Sequence, residues 1–234
     1  MFWFRRDPDA RLGVGVAFTT AALDLGDGRE RQARDADLAR LSAALGVPVA
    51  IVAQVHGADV CEVGATEATT VVDLTAQQAD ALVTTEPGVA LAVRVADCVP
   101  VLVAAEDGSA VAAVHAGRPG LLAGTIGAAV RRLRSLSGVP LRAWVGPHVC
   151  SECYEVPAEM ADEAAAALGV EPTVTRWGTP SLDLTAAAAR QLAEAAVPAE
   201  FVGGCTREEA DLHSYRRDGS SSGRLVGAVW RGRP

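Results

Sequence analysis

The spacing of apolar and polar positions changes several times along the chain, and each change marks an element. Residues 12–19 form a mostly apolar run that predicts a strand, and Gly26–Asp27–Gly28 then resets the direction. Over residues 29–45, Ala33, Leu38, Leu41, Ala44 and Leu45 recur at helical spacing between Arg, Glu and Asp. This predicts an amphipathic helix, stopped by Gly46 and Pro48. Short Val-rich runs at 49–55, 59–63, 81–84, 89–95, 99–105 and 110–115 predict strands. They are punctuated by Pro87–Gly88 and by Asp107–Gly108, the second a hairpin signal. Helical spacing returns at 121–136, 158–168 and 184–196, with a strand at 141–145 ended by Gly146–Pro147. Pro157 suits the start of one helix, and Asp183 or Thr185 suits the cap of another. The tail, 201–231, reads as two strands around a polar loop at 216–223. Hairpins mixed with β–α units predict an α+β fold of layered sheets rather than a doubly wound sheet. Gly13–Val14–Gly15 also lacks the third Gly of a dinucleotide-binding fingerprint.

Composition narrows the chemistry. The 234 residues are 50% hydrophobic, 21% charged and 4% aromatic, which fits one folded domain spanning 1–234 and excludes disorder, collagen and coiled coil. Every basic residue is Arg. With no Lys, a Walker A loop and a Schiff-base enzyme are excluded. A net charge of −8 argues against nucleic acid as the main partner. The longest apolar stretch, 89–105, is interrupted by Arg94 and Asp97, and residues 1–6 hold no signal-type apolar core, so neither a membrane span nor a secretory signal is expected. Five Cys without small-scaffold spacing predict free thiols, and a cytoplasmic monomer is the expectation.

Candidate chemistry concentrates at strand ends. His56 lies in Gln54–Val55–His56–Gly57 and His115 in Val114–His115–Ala116–Gly117, each after a strand-like run and close to a permissive Gly. Ala96–Asp97–Cys98–Val99–Pro100 interrupts the most apolar region with an Asp that is costly to bury without partners. One thiolate and two imidazoles match a catalytic zinc site that keeps a fourth position open. The same residues serve a metal-free cysteine hydrolase, with Cys98 as nucleophile and a His as base, and spacing does not separate the two. Equally, each His can be a hydrogen-bonded residue at a strand end. Cys150–Ser151–Glu152–Cys153 has no second pair for a structural zinc site, no thioredoxin context and no His-x-Glu partner of a deaminase, so both Cys read as ordinary thiols. Arg216–Arg217–Asp218–Gly219 and Arg118 read either as solvated charge or as clamps for phosphate or carboxylate.

Together these segments resemble the laccase-domain family, also called multicopper polyphenol oxidoreductases or YfiH-like proteins. The pieces that carry the resemblance run in family order: Gln54–Val55–His56–Gly57–Ala58–Asp59–Val60, Ala79–Asp80–Ala81–Leu82–Val83–Thr84, Ala96–Asp97–Cys98–Val99–Pro100 and Ala113–Val114–His115–Ala116–Gly117. They continue with Gly146–Pro147, Cys153–Tyr154–Glu155–Val156, Leu182–Asp183–Leu184, Cys205–Thr206 and Ser214–Tyr215–Arg216–Arg217–Asp218–Gly219. The resemblance implies sheets flanked by helices and a zinc on His56, Cys98 and His115. It also implies phosphate-dependent cleavage of purine nucleosides (adenosine, inosine, methylthioadenosine), with adenosine deamination as a second reaction. Earlier family labels are polyphenol oxidase and peptidoglycan-editing factor. Copper oxidase chemistry ranks below zinc, because one three-ligand set cannot supply several copper centres. On this basis Arg118, Arg216 and Arg217 are the expected phosphate ligands, and Asp97 and Arg216 the expected catalytic groups, with Asp97 orienting a metal ligand or moving a proton. A degenerate member that binds metal without catalysis is a further alternative. Two departures from the family stand out: Ala21 where it has an Arg before a Gly-rich loop, and Arg118–Pro119 where it has Trp-Arg.

Overall fold

A computed structural model describes residues 1–26 and 28–232; Asp27, within the expected Gly26–Asp27–Gly28 turn, lies outside the described residues. In chain order the elements are β1 (Phe2–Arg6), β2 (Val14–Thr19), α1 (Arg31–Leu45), β3 (Val49–Ala53), β4 (Val60–Glu62), β5 (Val71–Gln78), β6 (Ala81–Thr84), β7 (Ala90–Val95), β8 (Val99–Ala105) and β9 (Val111–Ala116). There follow α2 (Arg118–Ala123), α3 (Thr125–Ser137), β10 (Leu141–Val145), α4 (Ala158–Leu168), β11 (Thr173–Val174), β12 (Pro180–Ser181), α5 (Leu184–Glu194), β13 (Ala199–Phe201), α6 (Tyr215–Asp218) and β14 (Leu225–Arg231).

Two six-stranded mixed sheets dominate, ordered β1-β2-β14-β7-β3-β5 and β13-β10-β8-β9-β6-β4. Period-two alternation decides which layer each side chain enters. Leu91 and Val93 of the first sheet meet Leu102, Ala104, Val111 and Ala113 of the second in a shared core. The opposite face of the first sheet, with Ala90 and Ala92, packs on Leu38, Leu41 and Leu45 of α1. The opposite face of the second, with Val101, Val103, Ala112 and Val114, packs on α3, α4 and α5. The molecule is thus four layers deep, helix–sheet–sheet–helix, as the mixed α+β reading anticipates. Strands buried on both faces carry no polar alternation, which is why β8 reads as a continuous apolar run and β7 as one broken only by Arg94.

The structure corrects three element predictions. The helix expected over 121–136 is two helices, α2 and α3, broken at Gly124, whose φ of 76° is left-handed. Of the two strands expected in the tail over 201–231, the first is the short β13, which ends at Phe201, and it lies in a different sheet from β14. Strands β1 and β5 add to the predicted set; they form the two edges of the first sheet, where one missing neighbour leaves room for half-exposed polar residues.

Candidate metal centre

The chain passes from the first sheet to the second at 54–59, at 79–80 and at 96–98, and each passage delivers a functional side chain. His56 comes from the first, Asp80 from the second and Cys98 from the third, while His115 stands on β9 beside them. A fourth crossing that reaches these residues, in the return direction along the long segment from β13 to β14, brings Arg216.

His56, Cys98 and His115 converge, with one ligand atom from each within 4.8 Å of the others. Cys98 Sγ lies 3.7 Å from His56 Nε2, and the two imidazoles meet edge to face with centroids 4.7 Å apart. The organising group is Asp80, fully buried. Its Oδ1 accepts from His56 N (2.9 Å) and bonds His115 Nδ1 (2.7 Å), and its Oδ2 accepts from Val55 N (3.1 Å) and Gly57 N (2.6 Å). One carboxylate therefore folds the His56 loop and turns His115 so that Nε2 faces the thiol, the arrangement by which buried carboxylates orient metal-binding imidazoles. It also holds His56 at φ 61°, a left-handed conformation that costs a non-Gly residue energy and needs such support.

Gly117 completes the cradle. A Cβ there would lie 2.8 Å from His56 Cδ2 and 2.9 Å from Cys98 Sγ, so only Gly lets the three donors close together. Burial pushes the Cys98 thiol up, but His115 and His56 beside it outweigh that and bring it down to about 6. His115, which burial would lower, is raised to about 9 by Asp80 and Cys98. The donor set of one readily ionised thiol and two imidazoles, one of them backed by a carboxylate, fits a zinc ion with a free fourth position.

These groups stand in the wall of a cavity of about 430 Å³, which Arg94, Tyr154, Tyr215, Arg216 and Arg224 also line. Arg216 stacks on Tyr154, its guanidinium carbon 4.5 Å from the ring centroid, and donates to the Glu155 carbonyl. Arg118 opens α2 and, with Arg216, partly counters the burial that raises the Tyr154 hydroxyl. Arg217 points elsewhere: its guanidinium donates to the carbonyls of Thr206 (3.0 Å), Glu209 (3.0 Å) and Leu212 (2.7 Å) and pairs with Asp218 (2.8 Å). Asp97, at φ 84°, accepts from Thr206 Oγ1 (2.6 Å), Ser214 Oγ (2.7 Å) and Arg216 N (2.7 Å). It therefore anchors the fourth crossing, and the carboxylate that touches a ligand is Asp80. Of the other imidazoles, His148 is satisfied by Gly146 O and Thr185 Oγ1, and His213 contacts Leu23 O.

A family model described as multi-copper polyphenol oxidoreductase laccase matches residues 11–232. The chain belongs to that family. A Streptomyces coelicolor relative named purine nucleoside phosphorylase is 50% identical over 183 residues, covering 76% of this chain and 72% of its own. One of the same name from Streptomyces griseus is 42% identical over 95% of this chain and 88% of its own. Among solved structures, YlmD of Geobacillus stearothermophilus superposes with a TM-score of 0.82 at 28% identity, covering 100% of this chain and 97% of that one. A Neisseria meningitidis protein gives 0.80 at 28%, covering 99% of each. This laccase-type chain thus carries the layered fold of its YfiH-like relatives. Its sequence brings out His56, Cys98 and His115 as one of several open readings and assigns Asp80 no role, although an Asp set against the apolar run Ala81–Leu82–Val83 poses the same burial problem as Asp97.

Proposed function

We propose that this protein is a zinc-dependent purine nucleoside phosphorylase of the cytoplasm. The observation that carries the reading is the three-donor cluster set into a cavity that also presents Arg94, Arg216 and Arg224, in a chain whose relatives are named for that activity. About 430 Å³ suits a small-molecule ligand. Inorganic phosphate is held by the guanidiniums of Arg216 and Arg224, with Arg118 beside Tyr154 as a further candidate; Arg217 is committed to backbone carbonyls and acts as a brace. Tyr154 and Tyr215 offer ring faces to the purine. In phosphorolysis the C1′–N9 bond breaks as a phosphate oxygen bonds to C1′, and the base leaves with a proton. The chain's task is to fix phosphate against the sugar and exclude competing water. A bound zinc supplies Lewis acidity, which also suits hydrolytic deamination of adenosine as a second activity. His56, Cys98 and His115 hold the metal, and Asp97 is a positioning residue that sets the Arg216 loop.

The test is protein purified without chelator, assayed with adenosine, inosine and methylthioadenosine, with and without phosphate. The expected result is phosphate-dependent base release, abolished by chelator and by His115→Ala. Metal-loaded protein that turns over none of the three would sink the reading. A second reading rests on the low thiol pKa of Cys98 beside His115, the signature of a cysteine hydrolase acting on an amide. It predicts activity that survives chelation and is lost on alkylation of Cys98.

A further inference from the structure

A second group of donors lies outside the cavity. The turn Cys150–Ser151–Glu152–Cys153 is closed by Cys153 N and Tyr154 N, each donating to Cys150 O at 3.0 Å. The fourth crossing returns against it: Cys205 bridges His148, and Thr206 N donates to His148 O at 3.0 Å. There the chain forms a second turn of the same length, closed by Glu208 N and Glu209 N on Cys205 O at 3.1 and 3.0 Å. Sequence offers Cys150-x-x-Cys153 without a second pair; the fold supplies one as Cys205-x-x-Glu208.

The sulfurs of Cys150, Cys153 and Cys205 and a carboxylate oxygen of Glu208 all fall within 4.8 Å of one another. Cys150 N donates to Cys205 Sγ at 3.5 Å, and Cys150 Sγ stands 4.0 Å from Glu208 Oε2. The other Glu208 oxygen, Oε1, is held by Arg176 at 2.5 Å, and Arg176 is itself steadied by Glu152 at 3.0 Å, so Oε2 is presented toward the sulfurs. Ligand spheres of about 2.3 Å for sulfur and about 2.0–2.2 Å for oxygen put tetrahedral donors roughly 3.5–3.8 Å apart, within small side-chain adjustments of these positions. No two of the five Cys are joined by a disulfide.

We infer that Cys150, Cys153, Cys205 and Glu208 form a second, structural zinc site, closed by four protein ligands. Three thiolates select a soft or borderline ion, and the hard carboxylate in a four-coordinate set favours Zn²⁺ over Cu⁺. Each thiol releases its proton to solvent as its S–Zn bond forms, and nothing is oxidised or reduced. The ion would fasten the cavity wall, because Tyr154 follows one ligand, and Thr206, which donates to Asp97, follows another. The inference uses none of the residues on which the proposed activity rests.

The decisive experiment uses the full chain carrying Cys98→Ser, which disables the cavity site. Metal content per chain and a Co²⁺ titration followed by absorption are then measured. The expected outcome is about one zinc per chain and, with Co²⁺, an intense near-ultraviolet thiolate charge-transfer band with tetrahedral d–d bands. Adding Glu208→Gln is expected to weaken affinity at least tenfold and shift the d–d bands, and adding Cys205→Ser to remove most of the charge-transfer intensity. A Cys98→Ser chain that is folded by circular dichroism yet binds neither ion would overturn the site. So would recovery of a disulfide among Cys150, Cys153 and Cys205 from cells lysed with a thiol-blocking reagent. Should Cys205→Ser not fold, the Glu208→Gln comparison still decides.

Discussion

Asp80 makes four contacts with two oxygens, two of them through Oδ1 to the two histidines of the candidate centre. Asp80→Asn keeps the size but replaces one acceptor oxygen with a donor group facing backbone N–H groups, so both the His56 loop and the His115 tautomer lose their support. Metal affinity is expected to fall about 10–100-fold, read by competition with a chromophoric chelator, with the far-ultraviolet dichroism unchanged. At the same scale, the Cys98 thiol lowered to about 6 has a signed consequence. A lowered pKa keeps the thiolate populated as pH falls, so in metal-free protein Cys98 alkylation is expected to rise through about pH 6 and level off above it. An ordinary thiol would still be gaining reactivity near pH 9. Stoichiometric Zn²⁺ should protect the site, and peptide mass mapping separates Cys98 from the other four cysteines.

At the scale of elements, the loop between β13 and β14 divides labour between two adjacent arginines. Arg217 saturates itself on loop carbonyls, whereas Arg216 reaches the cavity. Arg217→Met is expected to cost about 1–2 kcal/mol of stability, measured by denaturant unfolding. Arg216→Met, which gives up one carbonyl bond and the Tyr154 stack, should cost less than about 1 kcal/mol and raise the KM for phosphate. Equal losses of stability in the two variants would contradict this division. The sequence shows two equivalent Arg side by side, since nothing in Arg216–Arg217 records which carbonyls lie within reach once the loop is folded. The elements themselves were legible where one face or both are buried: α1, β8, β9 and the Asp107–Gly108 hairpin follow from pattern alone. The edge strands β1 and β5 were not, because Phe2–Arg6 and Val71–Gln78 answer to one neighbour instead of two. The convergence of His56, Cys98 and His115 was legible because His and Cys are rare and stand at strand ends, although the residues alone left metal binding and thiol catalysis open. Glu208 was invisible, being one carboxylate among many until the fold sets it against Cys150.

For the whole molecule, the four-layer arrangement means that the candidate centre belongs to neither sheet. His56 and Cys98 lie at passages between the sheets, His115 rides on the second, and Asp97 binds residues more than a hundred positions away. Contacts of such sequence separation are made late, after the loops that close them have paid their entropy. A half-assembled chain, with either sheet formed alone, would have strands and helices but would not bring His56, Cys98 and His115 together. In a chain carrying Cys205→Ser, metal capture at the candidate centre during refolding is therefore expected to lag the recovery of far-ultraviolet dichroism and to coincide with burial of Trp144 in the shared core, followed by fluorescence and a zinc-sensitive dye. Uptake that keeps pace with secondary structure would show that the ligands gather before the sheets dock. An ion at this centre would thus serve as a quality check: a chain that seats one between the crossings has, by that fact, finished folding.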